Sequence, residues 1–146
     1  MSSVTIVTAL YNIKRDTDGD GRTFDEYLAW FKTTLSLNAN FVVFTHPDYA
    51  DRIPKSSRII VHTTTNEEIP YFQYKTDMER ILADPSYRSK IKNPGRVECK
   101  LALYNIVVYS KLEWIRQAIA ENPFDSEYFF WMDGLMYDYF SRKINR

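Results

Sequence analysis

One cysteine, Cys99, stands in 146 residues, so no disulfide can form within the chain and a reducing compartment is the expectation. Histidine is nearly as scarce. His46 and His62 each flank a strand-like stretch with no partner at metal-ligand spacing, and they read as loop or strand-edge residues rather than ligands. Net charge is missing altogether: 19 Lys and Arg balance 19 Asp and Glu, which removes any whole-chain electrostatic case for nucleic acid or an anionic membrane. The same balance protects poorly against self-association, so a homo-oligomer stays open. No apolar run is long enough to span a bilayer, and Met1-Ser2-Ser3 puts no basic region ahead of its short apolar stretch. Ser-His-Asp arrangements, a Walker loop and a GxGxxG fingerprint are absent too, which argues against the common hydrolase, P-loop and dinucleotide-binding classes. One soluble, cytoplasmic domain spanning residues 1–146 is the expectation.

What is present is a core. Hydrophobic residues make up 45% of the chain and aromatics 16%, enough to pack one globular interior. Val4-Thr5-Ile6-Val7-Thr8-Ala9-Leu10 is β-branched and apolar without helical spacing, a buried strand. After a polar loop, Thr23 and Glu26 stand as the Ncap and N3 of a capping box. Behind them Phe24, Tyr27, Leu28, Phe31 and Leu35 recur at helical steps. Phe41 to Thr45 closes a βαβ unit, and Arg58 to His62 reads as a further strand. Strand, helix, strand with short connections predicts a three-layer α/β fold with a mostly parallel central sheet. Tyr71 to Leu82 reads as a helix that stops before Pro85, and a long or kinked helix runs from Arg96 past Leu112 and Ile119 to Asn122-Pro123.

The last apolar run, Tyr128 to Leu135, predicts a strand buried on both faces, and a carboxylate is costly inside one. Asp133 therefore belongs at its C-terminal tip, where open α/β sheets bind ligands, or else Asp133-Gly134 merely opens a turn. Asp16 to Gly21 matches the start of an EF-hand loop but has Tyr27 where the bidentate Glu should fall, so a solvated loop before the Thr23 cap is the simpler reading. Arg15 and Arg22 in that loop are alternatively phosphate partners beside the first strand tip. Cys99, among apolar neighbours, reads as a small buried hydrophobe. Lys100, between the Arg96-Glu98 pair and the final strand, is either solvated or within reach of a phosphate at the strand tips.

Several segments taken together resemble the HtrL/YibB group of glycosyltransferase-like proteins, found in bacteria and viruses. They are Val7 to Ile13, Asp20 to Leu28, Phe44 to Pro47, Arg96 to Lys100 and Phe129 to Leu135. The resemblance implies a Rossmann-like, A-type nucleotide-diphospho-sugar transferase fold. It also implies a nucleotide-sugar donor such as a UDP-sugar, a Mn²⁺ or Mg²⁺ ion, and an acceptor on a glycan, protein or lipid, in the cytoplasm or a viral host's cytoplasm. Carried over by position, Ala9, Tyr11 and Asn12 neighbour the nucleoside, Arg22 and Lys100 contact the diphosphate or donor sugar, and Asp133 is the metal-proximal acid. The third position of the family's Asp-x-Asp motif is Leu135 here, which leaves a metal one carboxylate fewer. The chain also stops soon after the motif, where such a transferase supplies its acceptor site, so no catalytic base is assigned. Beside a donor-binding transferase domain stand two further expectations, a non-catalytic binding module and a self-associating interaction protein.

Overall fold

The computed structural model describes residues 3–19 and 21–134. Four parallel strands form one sheet in the order β3-β2-β1-β4, made of β1 (Val4–Leu10), β2 (Asn40–Thr45), β3 (Ile59–Thr63) and β4 (Tyr128–Trp131). Parallel neighbours need crossovers, and helices supply them. A one-turn helix α1 (Arg15–Asp18) and α2 (Phe24–Leu35) join β1 to β2, and α3 (Pro47–Ala50) joins β2 to β3. The path to β4 runs through α4 (Lys75–Ala83), α5 (Pro85–Arg88) and α6 (Ala102–Glu121).

The period-two alternation of β1 and β2 divides the core into two layers. Ile6, Leu10, Phe41 and Val43 pack on one face with Leu28, Phe31 and Leu35 of α2. Val7, Val42 and Phe44 pack on the other with Ile106, Trp114 and Ala118 of α6. The sheet is thus flanked by helices on both faces, as the strand-helix-strand pattern predicts. Trp114 anchors the second layer, stacked against Tyr11, Phe44 and Trp131 at centroid distances of 5.5, 5.8 and 6.0 Å. Burying side chains of that size contributes about 1.5–3 kcal/mol each.

Local signals set the helix ends. The capping box at α2 is formed: Thr23 Oγ1 accepts the Glu26 N–H at 3.2 Å, and Glu26 Oε2 accepts the Thr23 N–H at 2.9 Å. At the far end of α6, Asn122 takes a left-handed conformation (φ 40°) and its side chain bonds both the N–H and the carbonyl of Ser126.

Three expectations need correction. The Tyr71 to Leu82 helix is a 3₁₀ turn (Phe72–Tyr74) followed by α4, with Asp84 capping α5 and Pro85 at its first position. The helix expected from Arg96 is a 3₁₀ turn (Val97–Cys99), then a break at Lys100 and Leu101 before α6 begins. The α6 core stripe is Ala102, Ile106, Ser110, Trp114 and Ala118, whereas Leu112 and Ile119 point outward. Finally, β4 is short and lies at the sheet edge among the described residues, with Tyr128 and Phe130 exposed, so it is not buried on both faces. The reason is coverage: α6 packs over Phe129 and Trp131, while α2 lies over β1 and β2, so among the described residues nothing covers Tyr128 and Phe130. Cys99 is buried, as expected of a small hydrophobe. Among the described residues no helix is long and apolar enough to cross a membrane.

Candidate functional site at the sheet switch point

From β1 the chain crosses to β2 and β3 on one side, while β4 returns to the other side of β1. That reversal splays the connections apart and leaves a crevice beyond the C-terminal ends of β1 and β4, the position at which open α/β sheets bind ligands. A cavity of about 350 Å³ fills it. Its floor is the exit of β1, Ala9 to Ile13, and its far wall is Asp133 and Gly134, just past β4. Helix α2 contributes Phe24, Tyr27 and Phe31, helix α6 contributes Tyr104, Val107, Val108 and Lys111, and Arg15 and Arg22 come from the loop between β1 and α2. The body is apolar and a few charged groups, Arg15, Arg22, Lys111 and Asp133, stand in its wall, the usual make-up of a small-molecule site.

Each wall is held by its own chemistry. The chain leaves β1 through Asn12, whose Oδ1 accepts the Lys14 N–H at 2.9 Å, and Lys14 turns through the left-handed region (φ 58°). Arg15 then spreads its guanidinium 5.5 Å from the centroids of both the Tyr27 and Tyr104 rings, a cation–π arrangement. Gly134 is pressed against α2: a Cβ there would collide with the Phe31 ring, and its carbonyl accepts a hydrogen bond from Thr34 Oγ1 at 3.1 Å. The Tyr27 hydroxyl is buried and has no hydrogen-bond partner among the described residues. Such a group costs about 1–3 kcal/mol unless something satisfies it; the residue that carries it lines the cavity.

Asp133 is the electrostatic centre. Its Oδ1 lies 2.9 Å from Lys111 Nζ and accepts the Trp131 indole N–H at 2.8 Å. Burial pushes the carboxyl up, but the Lys111 and Trp131 hydrogen bonds and the Lys111 charge outweigh it and hold Asp133 below its ordinary value. Lys111 in turn lies 5.6 Å from the centroid of the Trp131 ring, so the three side chains form one cluster.

Of the residues singled out from sequence, Ala9, Tyr11, Asn12, Arg22 and Asp133 all border this cavity, as does Arg15. Tyr11 does so with its ring committed to the core: it stacks on Trp114 and its hydroxyl meets Thr64 Oγ1 at 2.5 Å. Burial pushes that phenol up to about 12, with the Thr64 hydrogen bond acting the other way. Lys100 is not brought in; it is exposed at the end of the 3₁₀ turn and borders no part of the cavity. Leu135, Asp20 and the tail 136–146 lie outside the described residues. Sequence reasoning missed Lys111 and Tyr104. The signal was there: the two stand seven residues apart on one face of the predicted helix, a lysine set among Val107, Val108 and Leu112.

A divalent cation fits these residues poorly. Among the described residues no three His, Cys, Asp or Glu side chains come together. The one carboxylate among the described residues of the cavity wall already faces an ammonium. A cation sharing Asp133 would stand beside Lys111, and even unit charges 4 Å apart repel by about 4 kcal/mol at an effective dielectric near 20.

Fold and site together define an α/β domain with a small-ligand crevice at the switch point of a parallel sheet. The family model described as "Bacterial protein of unknown function (HtrL_YibB)" matches residues 2–143. The chain belongs to the HtrL/YibB family. No curated protein and no solved structure matches it.

Proposed function

We propose that this chain is the donor-binding domain of a glycosyltransferase of the A-type nucleotide-diphospho-sugar transferase fold. In this reading it holds a nucleotide sugar such as a UDP-sugar in the β1/β4 crevice for transfer to a hydroxyl on a glycan, protein or lipid. The observation that carries it is the composition of the crevice: an apolar, aromatic body beside Arg15, Arg22 and Lys111 at the strand tips. The aromatic part suits a nucleoside and the cations suit a diphosphate. In transfer the acceptor oxygen attacks the anomeric carbon and the nucleoside diphosphate leaves with the bonding electrons. Fixed positive charge near the leaving group stabilises it more in the transition state than in the bound donor. Ala9 and Asn12 sit where the nucleoside meets the β1 exit, and Tyr27 lines the same crevice.

Thermal unfolding against nucleoside diphosphates and UDP- or GDP-sugars tests this. A ligand at about 100 times its Kd stabilises the native state by about 2.7 kcal/mol, a rise in Tm of roughly 5–10 °C for a chain of this size. Tyr27→Phe should raise the unliganded Tm, since it removes a buried hydroxyl with no described partner. No rise with any nucleotide would defeat the proposal. The alternative, a non-catalytic or self-associating interaction protein, draws on a different observation, the open aromatic face of β4.

A further inference from the structure

Resting on the donor-site reading above, we infer that Lys111 neutralises the diphosphate in place of a divalent cation, and that Asp133 is a positioning residue for the Lys111 ammonium rather than a metal ligand. Three observations carry this. First, Asp133 is used as a hydrogen-bond acceptor: the Lys111 ammonium and the Trp131 indole N–H converge on the same oxygen, 2.9 and 2.8 Å away. That geometry fixes a carboxylate against a cation already built into the fold. Second, Lys111 is placed rather than solvated. Its side chain is only 27% exposed, it rises from α6 into the cavity wall, and its ammonium lies over the Trp131 ring. An ammonium has three N–H donors; one meets Asp133, and the others have no described partner. Third, the described cavity wall holds three cations, Arg15, Arg22 and Lys111, against the single carboxylate of Asp133. Cations of this kind suit phosphate oxygens, with which they form charge-assisted hydrogen bonds. Among the described residues, no other His, Cys, Asp or Glu of the wall offers a metal a second ligand.

The roles follow from the arrangement. Trp131 orients Asp133, Asp133 orients Lys111, and Lys111 meets the phosphate oxygens with charge-assisted hydrogen bonds, which are about twice as strong as neutral ones. Asp133 touches Lys111 and not the ligand, so its loss misplaces the ammonium without removing it.

Isothermal titration with UDP and with GDP, in EDTA and again in Mn²⁺, separates the cases. The expected result is a Kd unchanged between the two conditions. Lys111→Met should weaken binding about tenfold or more, and Lys111→Arg should recover part of it. Asp133→Asn should weaken binding less than Lys111→Met and add nothing in the double variant, since the two act through one group. Manganese electron paramagnetic resonance of the protein alone should show only the free ion. Circular dichroism of each variant confirms that it is folded, and Lys111→Arg keeps the test valid if Lys111→Met is not. Binding that needs Mn²⁺ and disappears in Asp133→Asn while surviving Lys111→Met overturns the inference and leaves the donor-site reading standing. Binding of neither nucleotide under either condition overturns both.

Discussion

At the scale of single residues, Gly134 shows how closely the site is tied to the core. It follows Asp133 directly, and an added Cβ would run into the Phe31 ring, which is fully buried under the sheet and borders the same cavity. Backbone freedom is not the issue here; space is. Phe31 cannot swing away, because it packs among Leu28, Leu35 and the β1 and β2 side chains. Gly134→Ala should therefore overpack the core and cost about 1–3 kcal/mol, a fall in Tm of roughly 3–10 °C. Phe31→Leu in the same chain frees volume at the point of collision and should restore part of the loss, giving a coupling that a double-mutant cycle reads directly. Additive losses would mean that the two residues do not meet. An Asp-Gly pair can be read from sequence as a turn. The structure makes this glycine a contact between strand exit and helix.

At the scale of elements, the clearest local instruction in the chain is the start of α2. Thr23 and Glu26 exchange hydrogen bonds across the first turn, and the loop that carries Arg22 runs straight into that cap. Thr23→Ala removes the acceptor for the Glu26 N–H and should cost about 1 kcal/mol. Measured by urea denaturation, the midpoint should fall while the m-value holds, because the loss is local and the buried surface is unchanged. A Thr23→Ser variant, which keeps the hydroxyl, should hold close to the parent midpoint; an equal fall would trace the effect to the lost methyl group. Elements with local signals of this kind were legible: β1, β2, β3, the capping box and the parallel order all follow from period and punctuation. Where local signals run out, the reading slipped. The apolar residues of α6 lie on more than one side of the helix, so Leu112 and Ile119 looked as buried as Trp114. Only the docking of the helix on Val7, Val42 and Phe44 decides which of them the sheet covers. The same docking turns Lys111 toward Asp133, which is why a helix lysine that spacing alone leaves solvated became the partner of the strand-tip acid. Lys100 fell out of the site for the complementary reason: the chain breaks at Lys100 and Leu101, and α6 starts beyond them.

At the scale of the whole molecule, the uneven cover of the sheet has a consequence. Helix α6 spans the sheet from the β3 side, where Glu121 meets His62 at 2.6 Å, to β4, where Lys111 meets Asp133. Helix α2 packs over β1 and β2 and meets the β4 exit at Gly134, short of Tyr128 and Phe130. The described residues therefore leave Phe130 58% and Tyr128 47% exposed on a strand with one open edge. Aromatic side chains beside an unpaired edge form an association surface, and a net charge of zero offers no long-range repulsion to oppose it. Multi-angle light scattering should accordingly show an average mass that rises with protein concentration. Tyr128→Thr with Phe130→Lys should lower that mass at the same concentration. It removes the aromatic area and places a charge on the edge while leaving Phe129 and Trp131 in their packed positions. The crevice lies beyond the C-terminal ends of the strands and neither Tyr128 nor Phe130 borders it, so nucleotide binding should survive the double substitution. A parent protein that stays monomeric across the whole concentration range would show that the β4 face does not drive association. It would also remove the observation that favours an interaction role over a donor site, and the crevice between β1 and β4 would be left to carry the function.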